Sequence, residues 1–142
     1  MMRFYISIGL VSIFTLLALI HFSWALGSTW GFKNALPKSE AGNYVLNPAP
    51  WESAVVGLGL TLFGLFYLTR ADILPLTLQG WLLSVGSWVI PLIFLLRAIG
   101  DFKYVGFFKS ITSTDFAWLD TIFYSPLCLI LAVAGLVLLL RA

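Results

Sequence analysis

His21 is the only histidine in the chain, and it lies inside an apolar stretch with Trp24 one helical turn further on. An imidazole changes charge near neutral pH, which suits it to proton transfer. Ionisable side chains at membrane depth are costly to keep and are often functional. Arg97 and Asp101 stand four residues apart, so one helical face can hold them as an ion pair. Asp120 and Tyr124 share that spacing, and Trp51 and Glu52 stand together before another apolar run. These residues give one set of ligand-binding candidates: His21, Trp24, Trp51, Glu52, Arg97, Asp101, Asp120 and Tyr124. In a catalytic reading His21 is the acid or base, with Asp101 or Asp120 as its partner. Structural roles compete with each. Trp24, Trp30, Trp51 and Trp118 suit an aromatic belt at headgroup depth. Arg97 and Lys103 can snorkel to phosphates. The Arg97–Asp101 pair can fasten a helix end, Asp120 can cap a helix, and His21 can hydrogen-bond a neighbouring helix.

Other chemistries lack their residues. Cys128 is the single cysteine, flanked by Leu127 and Leu129, so an intrachain disulfide and a cysteine zinc cluster are excluded. It reads as a small packing residue. With one histidine and a distant cysteine no metal site is expected, and a haem held by two histidines would need two chains. No nucleophilic triad, phosphate loop or GxGxxG fingerprint is present, and no cofactor is expected. A formal charge of +2 without a run of Lys or Arg gives no reason to expect a nucleic-acid partner. Asn34, Asn43 and Asn47 lack the context for glycosylation.

The elements that must position these residues are set by composition. Of the 142 residues 61% are hydrophobic and 10% charged, against about 25% charged in soluble domains. A small soluble fold leaves too much of its surface wet to hide so much apolar area. Crossing a bilayer takes about 20 apolar residues in a helix, and spans are expected at approximately 4–26, 53–69, 73–96 and 121–140. The expected fold is an all-α membrane protein, a four-transmembrane-helix antiparallel bundle in a single integral membrane domain, 1–142. Barrel strands would alternate polar and apolar residues, and that pattern is absent. Arg3 and the Ala25-Leu26-Gly27 segment resemble parts of a signal peptide, but the apolar stretch between them exceeds the usual length.

The short link Arg70-Ala71-Asp72 predicts an antiparallel hairpin of the second and third spans, with Asp72 capping the third helix and Pro75 in its first turn. The connections 27–52 and 97–120 then share one side of the membrane, and both termini share the other. Close helix packing in lipid relies on small residues. Such stripes are expected at Ser53, Gly57, Thr61 and Gly64, at Gly80, Ser84, Ser87 and Pro91, and at Ser125, Cys128, Ala132 and Gly135. Pro91 and Pro126 each remove a backbone hydrogen bond and should bend their helices. The count of Lys and Arg favours cytoplasmic long loops. The placement of Arg3, Arg70 and Arg141 directly beside spans, with loop-side cations able to pair with acids, favours cytoplasmic termini, and that orientation is the expectation. A short match between 25–33 and 98–109 has the form of a duplicated two-helix unit.

The segments His21-Phe22-Ser23-Trp24-Ala25-Leu26-Gly27-Ser28-Thr29-Trp30-Gly31 and Ala35-Leu36-Pro37, together with Arg97-Ala98-Ile99-Gly100-Asp101-Phe102 and Tyr124-Ser125-Pro126-Leu127, resemble the bacterial membrane-protein family catalogued as domain of unknown function 3995. The resemblance spans nearly the whole chain. It implies a small four-helix protein of bacterial membranes, expected in the cytoplasmic membrane, and implies no activity. Three functions compete: a lipid- or partner-binding accessory protein with a polar pocket on the long-loop side, a small intramembrane enzyme using His21, and a subunit of an oligomeric transporter or channel. The expected partners are the bilayer itself, a bound lipid or another membrane protein, and a homo-oligomer is compatible with the sequence.

Overall fold

The computed structural model describes residues 1–141, and among these the chain is helical, its only β-pairing an isolated bridge between Lys38 and Tyr44. The helices α1 (Met2–Ala25), α2 (Pro50–Arg70), α3 (Gly80–Ile99) and α4 (Asp115–Leu140) are all long and apolar enough to cross a membrane. The expected four-span, all-α class is therefore the one observed. Side-chain contacts gather the ends of the helices as expected. Arg141 Nη1 lies 3.9 Å from Met2 Sδ, and Arg70 Nη2 donates to the Leu138 carbonyl at 3.4 Å. At the other end the Tyr124 hydroxyl, in α4, donates to the Asn34 carbonyl at 3.2 Å, tying that helix to the first long connection.

Helix boundaries depart from the expected spans for local reasons. α2 starts at Pro50, whose missing N–H is harmless in a first turn. The Glu52 carboxylate reaches back to accept the Ala49 N–H. α3 does not start near Ile73. The Ile73 and Leu74 N–H groups both donate to the Leu68 carbonyl, so these residues close the end of α2. Leu74 also precedes Pro75, which disfavours the helical conformation. Asp72, with φ 57°, is part of that turn rather than a cap, and Gln79 precedes α3 instead. α4 begins at Asp115, where Thr114 Oγ1 accepts the Ala117 N–H at 3.1 Å. Asp120 consequently lies inside a helix and does not cap one.

The longer link 71–79 also changes the pairing. α1 packs along α2, and α3 packs along α4, so the second and third spans do not form a lengthwise hairpin. Small residues make both seams. A Cβ on Gly57 would sit 2.9 Å from the Phe22 ring, and one on Gly135 would sit 2.5 Å from Pro91 Cγ. The α2 stripe is buried as expected at Ser53, Gly57 and Gly64. The α4 stripe is buried at Ser125, Ala132 and Gly135, with Cys128 half-buried. On α3 the expectation is half met: Gly80 and Ser84 are exposed, and the buried face runs Ser87, Ile90, Pro91, Phe94 and Ala98.

The two helix pairs meet through aromatic rings. Phe14 of α1 is fully buried, with ring centroids 5.8 Å from Phe63, 5.9 Å from Tyr67 and 5.4 Å from Phe94. This cluster closes the middle of the bundle with apolar side chains, and the outward faces carry Leu16, Leu62, Trp88 and Val133 toward lipid.

Candidate functional site

The long-loop end is organised around Asp120. α4 widens into a π-turn over Asp120–Tyr124, where the Ser125 N–H donates to the Asp120 carbonyl. Pro126 has no N–H to continue the usual ladder there, so a local change of pitch costs less than it would elsewhere. The Asp120 side chain is completely buried. Its Oδ1 accepts from Arg97 Nη2 at 2.8 Å, and its Oδ2 accepts from Lys109 Nζ at 3.1 Å and from the Gly106 N–H at 2.7 Å. Lys109 Nζ also donates to the Gly106 carbonyl at 2.9 Å and to Thr121 Oγ1 at 2.6 Å.

The segment after α3 is folded to make this possible. Gly100 and Gly106, with φ +91° and +89°, lie against each other's backbone so closely that a Cβ on either would run into a neighbouring carbonyl. The Phe107 N–H donates to the Ala98 carbonyl at 2.8 Å, satisfying one of the acceptors that a helix end leaves free. The turn is held from outside by Asp101, whose Oδ1 accepts from the N–H groups of Lys103, Tyr104 and Val105 at 2.9, 2.7 and 3.0 Å. Partial burial raises the Asp101 pKa, but these backbone donors outweigh it and hold the carboxyl below its ordinary value.

Between the two helix pairs, at this same end, lies a cavity of about 840 Å³. Its inner wall is part of the apolar core, at Leu60, Phe94 and Leu131. Its polar end carries His21, Trp24, Glu52, Arg97 and Tyr124. Leu16 and Phe123, which are 60% and 56% exposed on the lipid-facing surface, also line it, so the cavity is open sideways. His21 Nδ1 lies 2.8 Å from the Leu17 carbonyl, and since a carbonyl can only accept, Nδ1 carries the proton. The Trp24 indole N–H donates to the Trp30 carbonyl at 2.7 Å, and its ring meets the ring of Phe32 edge-on.

The family model described as "Protein of unknown function (DUF3995)" matches residues 14–135. The chain belongs to this family. No curated protein and no solved structure matches it.

This DUF3995 chain brings together most, though not all, of the residues that its sequence singles out. His21, Trp24, Glu52, Arg97 and Tyr124 share the cavity wall. Asp120 stands behind Arg97, out of reach of the cavity. Trp51 points outward at 67% exposure, while Trp24 lines the cavity wall. Arg97 and Asp101 do not pair. α3 ends at Ile99, and the positive φ of Gly100 turns Asp101 away from the face that holds Arg97. Lys103 lies over the Tyr104 ring at 5.1 Å. Sequence reasoning misses Lys109 as a buried group, because nothing in the local Phe-Phe-Lys-Ser segment marks it. It also misses Cys128 as a cavity residue. The glycines at 100 and 106, spaced around Asp101, are the one signal that a tight turn returns the chain to the helix end.

Proposed function

We propose that this membrane protein binds a lipid-like amphiphile, with hydrocarbon in the apolar part of the cavity and the polar group at the long-loop end. The observation that carries the reading is the cavity itself. It is of ligand size, about 840 Å³, where small-molecule sites span about 300–1,000 Å³. It combines a mainly apolar wall with polar groups gathered at one end, and its sideways opening faces the region where acyl chains lie. The family resemblance favours the bacterial cytoplasmic membrane as its place of work.

The catalytic reading draws less support. His21 lines the cavity, but its bonded partner is the Leu17 carbonyl, and Asp101 and Asp120 are engaged with the turn and with the two cations. A general base oriented by a carboxylate would need a different arrangement. A transport path draws less still, since Phe14, Phe94 and Leu131 fill the centre of the bundle.

The test is mass spectrometry of the protein purified in a mild non-ionic detergent that retains lipids. The expected result is a stoichiometric bound amphiphile. Protein that carries none under these conditions, and takes none up from added membrane extract, contradicts the reading.

A further inference from the structure

Charge within the Asp120 network is unbalanced, and the Glu52 carboxylate elsewhere on the cavity wall does not pair with it. Asp120 is one carboxylate with two cations on it, Arg97 at 2.8 Å and Lys109 at 3.1 Å. One positive charge is therefore left over, in surroundings where an uncompensated charge is expensive. Lys109 cannot present it. Its side chain is 2% exposed, and its ammonium donors go to Asp120, to the Gly106 carbonyl and to Thr121. Arg97 can, because its side chain is 32% exposed and forms part of the cavity wall.

The donors point the same way. His21, Trp24 and Tyr124 each donate to a backbone carbonyl of the protein. Glu52, the acid on the wall, accepts the Ala49 N–H and makes no ion pair with Arg97 within 4.0 Å. Arg97 Nη2 is spent on Asp120, but Nη1 is covered by protein and has no acceptor. A guanidinium fork with one tine used and one free is suited to an oxyanion.

We propose that the bound amphiphile carries an anionic head, a carboxylate or a phosphate, and that Arg97 takes it through Nη1. The inference rests on the cavity being the ligand site and adds the charge of the ligand. Nη1 is covered in this structure, so seating the head requires the protein atoms over it to move aside and admit an oxygen. The hydrocarbon then runs along the wall past Leu60 and Leu131.

Cys128 provides the readout, since it is the only cysteine, is half-buried and lines the cavity. Its alkylation by N-ethylmaleimide is timed for the full chain in non-ionic detergent at pH 8. Lauric acid, dodecyl phosphate and dodecanol are added at equal mole fractions in the micelle, and inorganic phosphate is added alone. The expected result is that one or both anionic amphiphiles slow the reaction at mole fractions roughly tenfold below dodecanol, as a charge-assisted contact worth about 1.4 kcal/mol would give. The better of the two identifies the head as carboxylate or phosphate. In Arg97→Gln the difference disappears while dodecanol protects as before. Should that variant not fold, Arg97→Lys keeps a cation for Asp120 but loses the fork, and the difference narrows several-fold. Equal protection by dodecanol in the unmodified protein overturns the anionic assignment and leaves the cavity reading standing. Protection by inorganic phosphate alone overturns the assignment to an amphiphile. Protection by none of the amphiphiles overturns both readings.

Discussion

Asp120 is the residue on which the long-loop end depends. It is fully buried and joins the end of α3, the turn containing Gly106 and Lys109, and the start of α4. Removing one partner of a buried charge group leaves the others uncompensated, at a cost of about 3–5 kcal/mol. Asp120→Asn keeps the shape and strands both cations, so a large fall in thermal midpoint in detergent is expected. An unchanged midpoint would show that the network does not hold this end. Asp101 acts more locally. Its depressed pKa means that its contribution is present above the unfolded-state value, about 3.9, and is lost as pH falls through the lower folded-state value. Asp101→Ala should speed hydrogen exchange at the Lys103, Tyr104 and Val105 amides at neutral pH, with Asp101→Asn, which keeps an acceptor oxygen, closer to the native protein. Equal exchange in all three would contradict the capping role. At this scale the sequence was informative about residue type and less so about partner. Arg97 stood out, but four-residue spacing pointed to Asp101, and only the positive φ of Gly100 makes Asp120 the partner. That partner lies across a turn whose closure depends on long-range contacts, which spacing cannot reveal.

The helices were legible as spans because lipid imposes one simple rule, a long apolar run with its backbone bonds satisfied internally. Their ends and pairings were less so. Ile73–Gln79 is apolar enough to read as helix, yet Pro75 and the turn onto Leu68 keep it out of α3. The pairing of α1 with α2 and of α3 with α4 depends on which small residues face which neighbour, and a stripe of small residues marks a face without naming its partner. The seams can be tested by overpacking, which typically costs about 1–3 kcal/mol. Gly135→Val puts atoms against Pro91 and the Tyr67 hydroxyl, whereas Gly59 has open space around it. Gly135→Val should lower the thermal midpoint, and Gly59→Val should leave it nearly unchanged. Similar effects at both sites would mean that α4 does not meet α3 along this line.

In the molecule as a whole, two tightly packed helix pairs touch through an aromatic cluster and separate toward the long-loop end, and the cavity is the space this leaves. Small residues bring helices together within each pair, and the rings of Phe14 and Phe63 meet Phe94 across the pairs. The polar side chains that the sequence placed at helix ends converge because the fold puts those ends at one level. Their convergence could be expected from topology alone, whereas the cavity among them could not. Filling that space tests the account most directly. Cys128→Trp adds a large side chain to the cavity wall and removes none of the residues of the Asp120 network. Native mass spectrometry of the two proteins, purified side by side in mild detergent, should show a bound amphiphile on the unmodified chain and its loss from Cys128→Trp at a comparable thermal midpoint. Equal occupancy of the two, with the variant folded, would contradict the claim that the ligand sits between the helix pairs.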